Sequence, residues 1–431
     1  MVASPMGRVR PALRRTFRSL HHRNARLYLA GLAVSNVGTW MQVVAQGWLV
    51  LTLTDDSGVA LGIVTALQFA PLLLGGAWGG VVADRSDKRR LLLVTQVVAC
   101  ALAVVLWAAT ATGTVTLGLV YVLALLLGCV NAVDNPTRRS FISELVEPDE
   151  VANAISLNTA VMTSSRMVGP AVAGVLIGTV GIAACFLLNA ISFVAVLLGL
   201  VAIDVGALRK AERVARAKGQ VREGLRYAWA TPEIRTTLLM VAVISTLAFE
   251  YQVVLPLMAA EAFEGGAGAY GLLFSVLSLG SLSGSLISAA RKGPTRAYLV
   301  GSAAMFGATM LVASAAPTLT VALVAVVPMG AAGAAFVTTA SALLQTTTRP
   351  DVRGRVLALF SVVFLGSTPI GGLIVGTVAE HLGARSGFVV GGTTSLVVAA
   401  VVTLRRRRRP DAPGDGETER AVEGRVPVAA A

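Results

Sequence analysis

The chain has 431 residues, 55% of them hydrophobic and 14% charged, with a formal charge of +13. So apolar a composition leaves little material for a soluble catalytic domain. The positive charge is not a nucleic-acid footprint either, because nearly all of the 36 Lys and Arg residues fall on alternate connections between long apolar runs.

Twelve such runs are expected to cross a membrane as helices, near 27–53, 58–83, 91–112, 115–135, 151–178, 181–203, 236–258, 268–290, 296–315, 318–346, 355–379 and 385–404. About 20 apolar residues suffice to span the roughly 30 Å hydrocarbon core. The expected fold is therefore an all-α membrane protein of 12 transmembrane helices. Basic residues cluster from Arg8 to Arg26, at Arg85–Arg90, at Arg138 and Arg139, between Arg209 and Arg235, at Arg291–Arg296, at Arg349–Arg355 and in the tail. Cytoplasmic loops retain positive charge, so both termini are expected in the cytoplasm and residues 54–57 outside, in a plasma or inner membrane. The exceptions are Arg385, on the other set of connections, and Arg166, inside a span. A long first run behind an arginine-rich start suits a retained terminus, not a cleaved signal.

Three polar segments remain. Residues 1–26 read as a basic cytoplasmic N-terminal segment, and 405–431 as a basic disordered tail. The linker 204–235 joins an N-terminal six-helix bundle, 27–203, to a C-terminal one, 236–404. In that linker Val221, Leu225 and Trp229 recur at helical spacing among Arg216, Lys218, Arg222 and Arg226, which suits a basic interfacial helix or a solvated tether. The dipeptide Gly-Lys is absent, so there is no phosphate-binding loop. Cys100, Cys129 and Cys185 lie far apart in spans, and His21, His22 and His381 have no ligand spacing. No metal, no cofactor and no enzymatic activity are expected.

The first span carries Ser35, Thr39, Gln42 and Gln46 on one helical face, a stripe expected to line a cavity or to bond a neighbouring helix. In the second, Gly75 and Gly79, and Gly76 and Gly80, are spaced for close helix approach, with Gly372 and Gly376 as a matching thin face on the eleventh. Asp84 follows at the end of the second span, and Asp134 lies where Asn135-Pro136 is expected to end the fourth. The fifth span places Asn158, Met162, Arg166 and Gly169 on one face, followed by Pro170 and Gly174. An arginine left facing lipid costs at least about 2.5 kcal/mol, so Arg166 is expected to face a cavity or a partner. In the seventh, Glu250 is the one carboxylate well inside a run, about 22 Å from Arg235 at 1.5 Å per residue. It reads as a proton carrier or as a wetted glutamate near the outer surface. The tenth repeats a shorter polar face at Thr338, Ser341 and Gln345.

An offset of 202 residues relates the ends of the two bundles. Pro148-Asp149 answers Pro350-Asp351, Gly169, Gly174 and Gly181 answer Gly371, Gly376 and Gly383, and Phe186 answers Phe388. Parallel six-helix repeats with a site near the midplane are one transporter architecture.

The segment Gly80-Val81-Val82-Ala83-Asp84-Arg85-Ser86-Asp87-Lys88-Arg89-Arg90 resembles the G-x-x-x-D-R-x-G-R-[KR] motif of the major facilitator superfamily, with Asp87 at the usual glycine and Lys88 at a usual arginine. The resemblance implies a gating cluster of Gly80, Asp84, Arg85, Lys88, Arg89 and Asp134, in which Asp84 meets the start of the eleventh helix in one conformational state. Arg166–Gly174 partly resembles the G-P-x-x-G-G motif of superfamily exporters. Phrases at Ser35–Gln42, Asp134–Arg138, Glu223–Tyr227 and Arg353–Val356 resemble the enterobactin-exporter and macrolide-efflux-like branch, the transmembrane secretion effectors. That implies efflux of a siderophore-like or drug-like organic molecule energised by proton antiport; the position of Glu250 or Asp134 offers the proton carrier, and a monomer is expected. An uptake carrier or uniporter of the same fold remains open, as does a non-transporting membrane sensor or assembly partner.

Overall fold

The structure, a computed structural model, describes residues 17–209, 220–291 and 293–407. The expectations for residues 1–16, for Arg216 and Lys218 and for the tail past Arg407 lie outside the described residues, as do the side chains of Val221 and Arg222. Among the described residues twelve helices are long and apolar enough to cross a membrane. They are α1 (Arg23–Leu53), α2 (Gly58–Arg85), α3 (Lys88–Ala111), α4 (Leu117–Phe141), α5 (Val151–Thr179), α6 (Ile182–Val201), α7 (Pro232–Ala262), α8 (Ala267–Ala289), α9 (Arg296–Ser314), α10 (Leu319–Thr347), α11 (Arg353–Leu382) and α12 (Arg385–Arg407). Several begin where a side chain accepts from the backbone amide three residues on: Ser57 for α2, Asp87 for α3, Thr116 for α4, Thr295 for α9 and Thr318 for α10. Each such cap is worth about 1 kcal/mol to a helix end.

The packing repeats with a shift of six helices. α1 packs on α5 and α6 as α7 packs on α11 and α12; α2 packs on α4 as α8 packs on α10; α3 packs on α4 and α6 as α9 packs on α10 and α12. The repeat reaches single glycines. Gly181 and Gly383, which open α6 and α12, both take positive φ, 108° and 83°. Gly169 abuts α1 and its counterpart Gly371 abuts α7, while Gly174 meets α8 and Gly376 meets α2. Phe186 and Phe388 are both buried. The two halves join chiefly through α2 against α11 and α5 against α8. An even number of crossings puts the described chain ends on one face, which also carries Arg85–Arg90, Arg138, Arg139, Arg209, Arg291 and Arg353. This is the basic face.

Three local features differ from expectation. α4 does not end at Asn135-Pro136 but continues through Pro136 to Phe141. A proline inside a helix frees the carbonyl four residues back, and the carbonyl of Ala132 sits against Gly79, where a side chain on α2 would collide with it. α7 is broken, with Phe249 and Glu250 outside helical geometry between Pro232–Ala248 and Tyr251–Leu257. No glycine or proline occupies that break; Phe249 is instead held among the rings of Phe306 at 4.9 Å, Phe364 at 5.4 Å and Tyr251 at 5.7 Å. α11 is interrupted at Ser367, just ahead of Pro369. The two breaks are neighbours, joined by a 2.9 Å hydrogen bond between the Ser245 and Ser367 hydroxyls.

Candidate functional site

The halves close tightly on each other toward the face opposite the basic one. A Cβ on Gly58 would lie 2.5 Å from the Gly376 carbonyl oxygen, and one on Gly62 2.5 Å from that of Gly372. On the other seam, a Cβ on Gly174 would lie 3.1 Å from the Gly268 Cα. At Gly58 and Gly62 backbones this close admit only glycine, and at Gly174 any side chain would be tight. The thin face of α11 therefore serves a different partner from the one expected. Gly372 and Gly376 meet the start of α2, because α2 and α11 run antiparallel and Gly75–Gly80 lie at the other end. Gly79 packs on α4 instead; among the described residues a Cβ on Gly75 would meet nothing, and one on Gly76 only Leu72 of its own helix. At the rim of this seal Glu380 of α11 accepts hydrogen bonds from the Ser57 hydroxyl at 2.6 Å and the Val59 amide at 2.8 Å. A carboxylate from one half thus caps the N-terminus of a helix in the other, which the helix dipole favours.

Arg166 sits where the seal ends. On α5 the face bearing Ile155, Thr159, Met162 and Arg166 continues into Pro170 and Gly174. Pro170 and Gly174 are buried against α8, while Ile155 and Met162 are 47% and 50% exposed. The same face thus passes from closed to open toward the basic side. The Arg166 guanidinium carbon lies 5.1 Å from the Trp40 ring centroid on α1 and 5.6 Å from that of Phe274 on α8. Its Nε is buried and has no hydrogen-bond partner among the described residues. Gly169 makes room for this arrangement, since a Cβ there would come within 2.6 Å of the Trp40 Cβ.

The polar stripe of α1 divides. Gln42 is buried and accepts from Asn189 Nδ2 of α6 at 2.5 Å, with Ser192 beside it, so it holds two helices of one half together. Ser35 is fully buried, and Thr39 returns its hydroxyl to the Ser35 carbonyl at 2.9 Å. Gln46 reaches the junction of the halves, in a small polar recess with Thr65 and Gln68 of α2 and Gln252 of α7. Asn158 Nδ2 lies 3.8 Å from the Met162 sulfur. On α10, Gln345 bonds the Ser341 hydroxyl at 3.3 Å, and Thr338 is partly exposed one turn earlier.

Glu250 is not a wetted surface glutamate. It is 3% exposed, lies in the break of α7, and its Oε1 has no hydrogen-bond partner among the described residues. It presses on α11, where a Cβ on Gly371 would fall 2.5 Å from that oxygen. Asp134 is the reverse case. It pairs with Arg138 and accepts from Thr95 at 2.6 Å and Gln96 at 2.8 Å, so both of its oxygens are engaged within one half.

The structure does not bring Lys88 to Asp84 or Asp134. Asp87 caps α3, with its Oδ1 2.9 Å from the Arg90 amide. That turn carries Lys88 to Glu144 in the connection between α4 and α5. Arg89 binds the Leu200 and Val201 carbonyls at 2.7 and 3.0 Å, the C-terminal end of α6. Asp84 and Arg85 are exposed at the end of α2. The start of α11 is held by the linker helix Gln220–Ala230, through Glu223 to Arg355 at 2.6 Å. Arg349 also stacks 5.3 Å from the Tyr227 ring. Leu225 and Trp229 stay exposed on this helix, as an interfacial helix requires. Trp40, Phe274, Glu144, Asn189, Gln252 and Glu380 were not singled out in the sequence. Nothing in their spacing marks them, because each acts across helices far apart in the chain.

Two repeated six-helix halves, sealed at one face around an intramembrane arginine, define a major facilitator transporter, a multi-pass membrane protein. The chain belongs to the transmembrane secretion effector family, whose model matches residues 15–422. It is 26% identical over 364 residues to a staphyloferrin A transporter of Staphylococcus aureus, covering 83% of this chain and 89% of that one. It is also 26% identical to the multidrug efflux pump Tap of Mycolicibacterium fortuitum, over 84% of this chain and 91% of that protein. A third relative, macrolide efflux protein A of Streptococcus pyogenes, is 22% identical over 84% of this chain and 91% of its own. In fold, the chain is similar to a bacterial homologue of the human lysosomal transporter Spinster in an inward-facing, unoccupied conformation. That match has a TM-score of 0.71 at 16% identity and covers 90% of this chain and 99% of that one.

Proposed function

We propose that the protein exports an organic molecule from the cytoplasm by alternating access, driven by protons. Export is supported by the efflux activity named for two of the relatives. Proton coupling is supported by Glu250, a buried carboxyl in a helix break beside the seam between halves, and discontinuous helices are where transporters build ion sites. The rocking units are residues 27–203 and 236–404, working as a monomer in the plasma membrane. With the basic face cytoplasmic, the state described above is inward-open. Everted vesicles test the reading with three fluorescent probes of different charge, ethidium, anthracene-9-carboxamide and anthracene-9-carboxylate. At least one is expected to accumulate above control vesicles when the lumen is acidified and to leak out with an uncoupler. No gradient-dependent accumulation of any of the three overturns it.

The orientation is tested by cysteine labelling in a cysteine-free background. An impermeant reagent applied to intact cells is expected to label Asp55→Cys and not Lys218→Cys; the reverse pattern inverts the topology.

Gating is proposed to work as a seesaw on the antiparallel pair α2 and α11. Glu380 caps the N-terminus of α2 when the outer seal is closed. Asp84, at the other end of α2, caps the start of α11 when the inner side closes. A carboxylate at a helix N-terminus contributes about 0.3–1 kcal/mol, and up to about 2 when partly buried, enough to move a balanced two-state equilibrium severalfold. Glu380→Gln is expected to raise, and Asp84→Asn to lower, the labelling of Thr65→Cys, a buried seal residue, from the outer side. Asp84→Asn is further expected to cripple transport while leaving substrate binding largely intact. Shifts of the same sign, or none in either variant, remove the seesaw.

A further inference from the structure

Resting on that transport reading, we propose that the central site takes an organic anion, a carboxylate carried on an apolar body, with Arg166 as the carboxylate's partner. A guanidinium offers five N–H donors in a planar fork that matches a carboxylate. Arg166 uses none of them in a hydrogen bond among the described residues, and no described carboxylate pairs with it. The faces of Trp40 and Phe274 flank it from different halves. They favour the cation but leave its donors unmet. Such a group is tolerable while the inner side is open and water reaches it. When that side closes the water leaves, and a charge stripped of solvent needs a partner in the same space.

The chain itself offers poor candidates for that partner. Asp134 is engaged by Arg138, Thr95 and Gln96 inside one half. Glu250 packs on α11 at Gly371. A ligand carboxylate fits the vacant fork. The apolar body has a place along the same helical face, at Met162 and Ile155, which are exposed at 50% and 47%. Trp40 and Phe274 belong to the two halves, so a ligand held between them senses their relative position. That is what a substrate must do to drive closure.

Binding is measured on purified protein by energy transfer from tryptophan to the matched pair anthracene-9-carboxylate and anthracene-9-carboxamide, which differ in charge and hardly in shape. The carboxylate is expected to bind at least about tenfold more tightly than the amide, in line with hydrogen bonds between charged partners. Arg166→Gln is expected to erase that difference by weakening carboxylate binding far more than amide binding, with the thermal melting curve of the purified variant reporting an intact fold. Arg166→Lys is expected to keep part of the preference, since it retains charge without the fork. No carboxylate binding, equal binding of carboxylate and amide by the wild type, or an unchanged preference in Arg166→Gln overturns the proposal. So does a preference restored in Arg166→Gln by adding Glu250→Gln, which would make Glu250 the partner. The readout uses no gradient. Anion selectivity can therefore fail while vesicles still export ethidium, and vesicle transport can fail while the anion still binds.

Discussion

Glu250→Gln is expected to abolish uphill export while leaving downhill exchange of the same substrate intact. A proton moving inward across 100 mV releases about 2.3 kcal/mol, and each unit of pH gradient adds about 1.36. One proton per cycle can thus sustain a gradient of about a few hundredfold for a neutral substrate. A carrier must hold that proton in a group shielded from bulk water and poised between states. Glu250 meets the structural requirement: it is buried, sits in a break of α7, and its Oε1 has no hydrogen-bond partner among the described residues. Glutamine keeps the shape and the packing on Gly371 but carries no exchangeable charge. In everted vesicles the accumulation ratio of the variant should fall to that of control membranes, while counterflow from preloaded vesicles continues. Uphill accumulation at the wild-type rate would show that Glu250 is a packing residue. Asp134, with Arg138, Thr95 and Gln96 already upon it, is the less suitable carrier.

Gly62→Leu is expected to prevent the outer seal from closing and to stop transport. Even a bare Cβ on Gly62 would lie 2.5 Å from the Gly372 carbonyl oxygen, a backbone atom that no rotamer change can move. Overpacking of this kind costs about 1–3 kcal/mol, and 1.4 kcal/mol is tenfold in an equilibrium. The strain exists only in the closed-outside state, so the population moves toward the state open on that face. Thr65→Cys, buried beside Gly372, should then label from the outer side about tenfold faster or more. Gly62→Ala should show a smaller shift in the same direction, which separates a conformational effect from misfolding. Equal labelling and normal flux in Gly62→Leu would mean that the halves do not need this contact.

The reach of the sequence differs from feature to feature for physical reasons. Twelve spans were legible because a bilayer imposes length and apolarity on each helix separately. The twofold repeat was legible at Gly169 and Gly371, and at Gly174 and Gly376, because close backbone contact tolerates no side chain and so leaves a residue-level mark. Arg166 stood out as a charge inside a span, and Glu250 as the one carboxylate well inside another. The partners of these residues did not stand out. Helical periodicity says which side chains share a face, but not which helix that face meets. Gln42 and Gln46, on one stripe, therefore went to different places, Gln42 to Asn189 within a half and Gln46 to the junction of halves. The same limit paired the thin face of α11 with the wrong end of α2, and Lys88, placed in the gating cluster by resemblance alone, is delivered by a capped turn to Glu144 in this state. The breaks in α7 and α11 and the cap of α2 by Glu380 depend on packing between segments more than 100 residues apart. By itself the sequence determined how many helices cross, which ends are basic and which residues are too costly to face lipid. Only the tertiary structure decided which of those costly residues meet a partner and which, like Arg166, keep hydrogen-bond donors open.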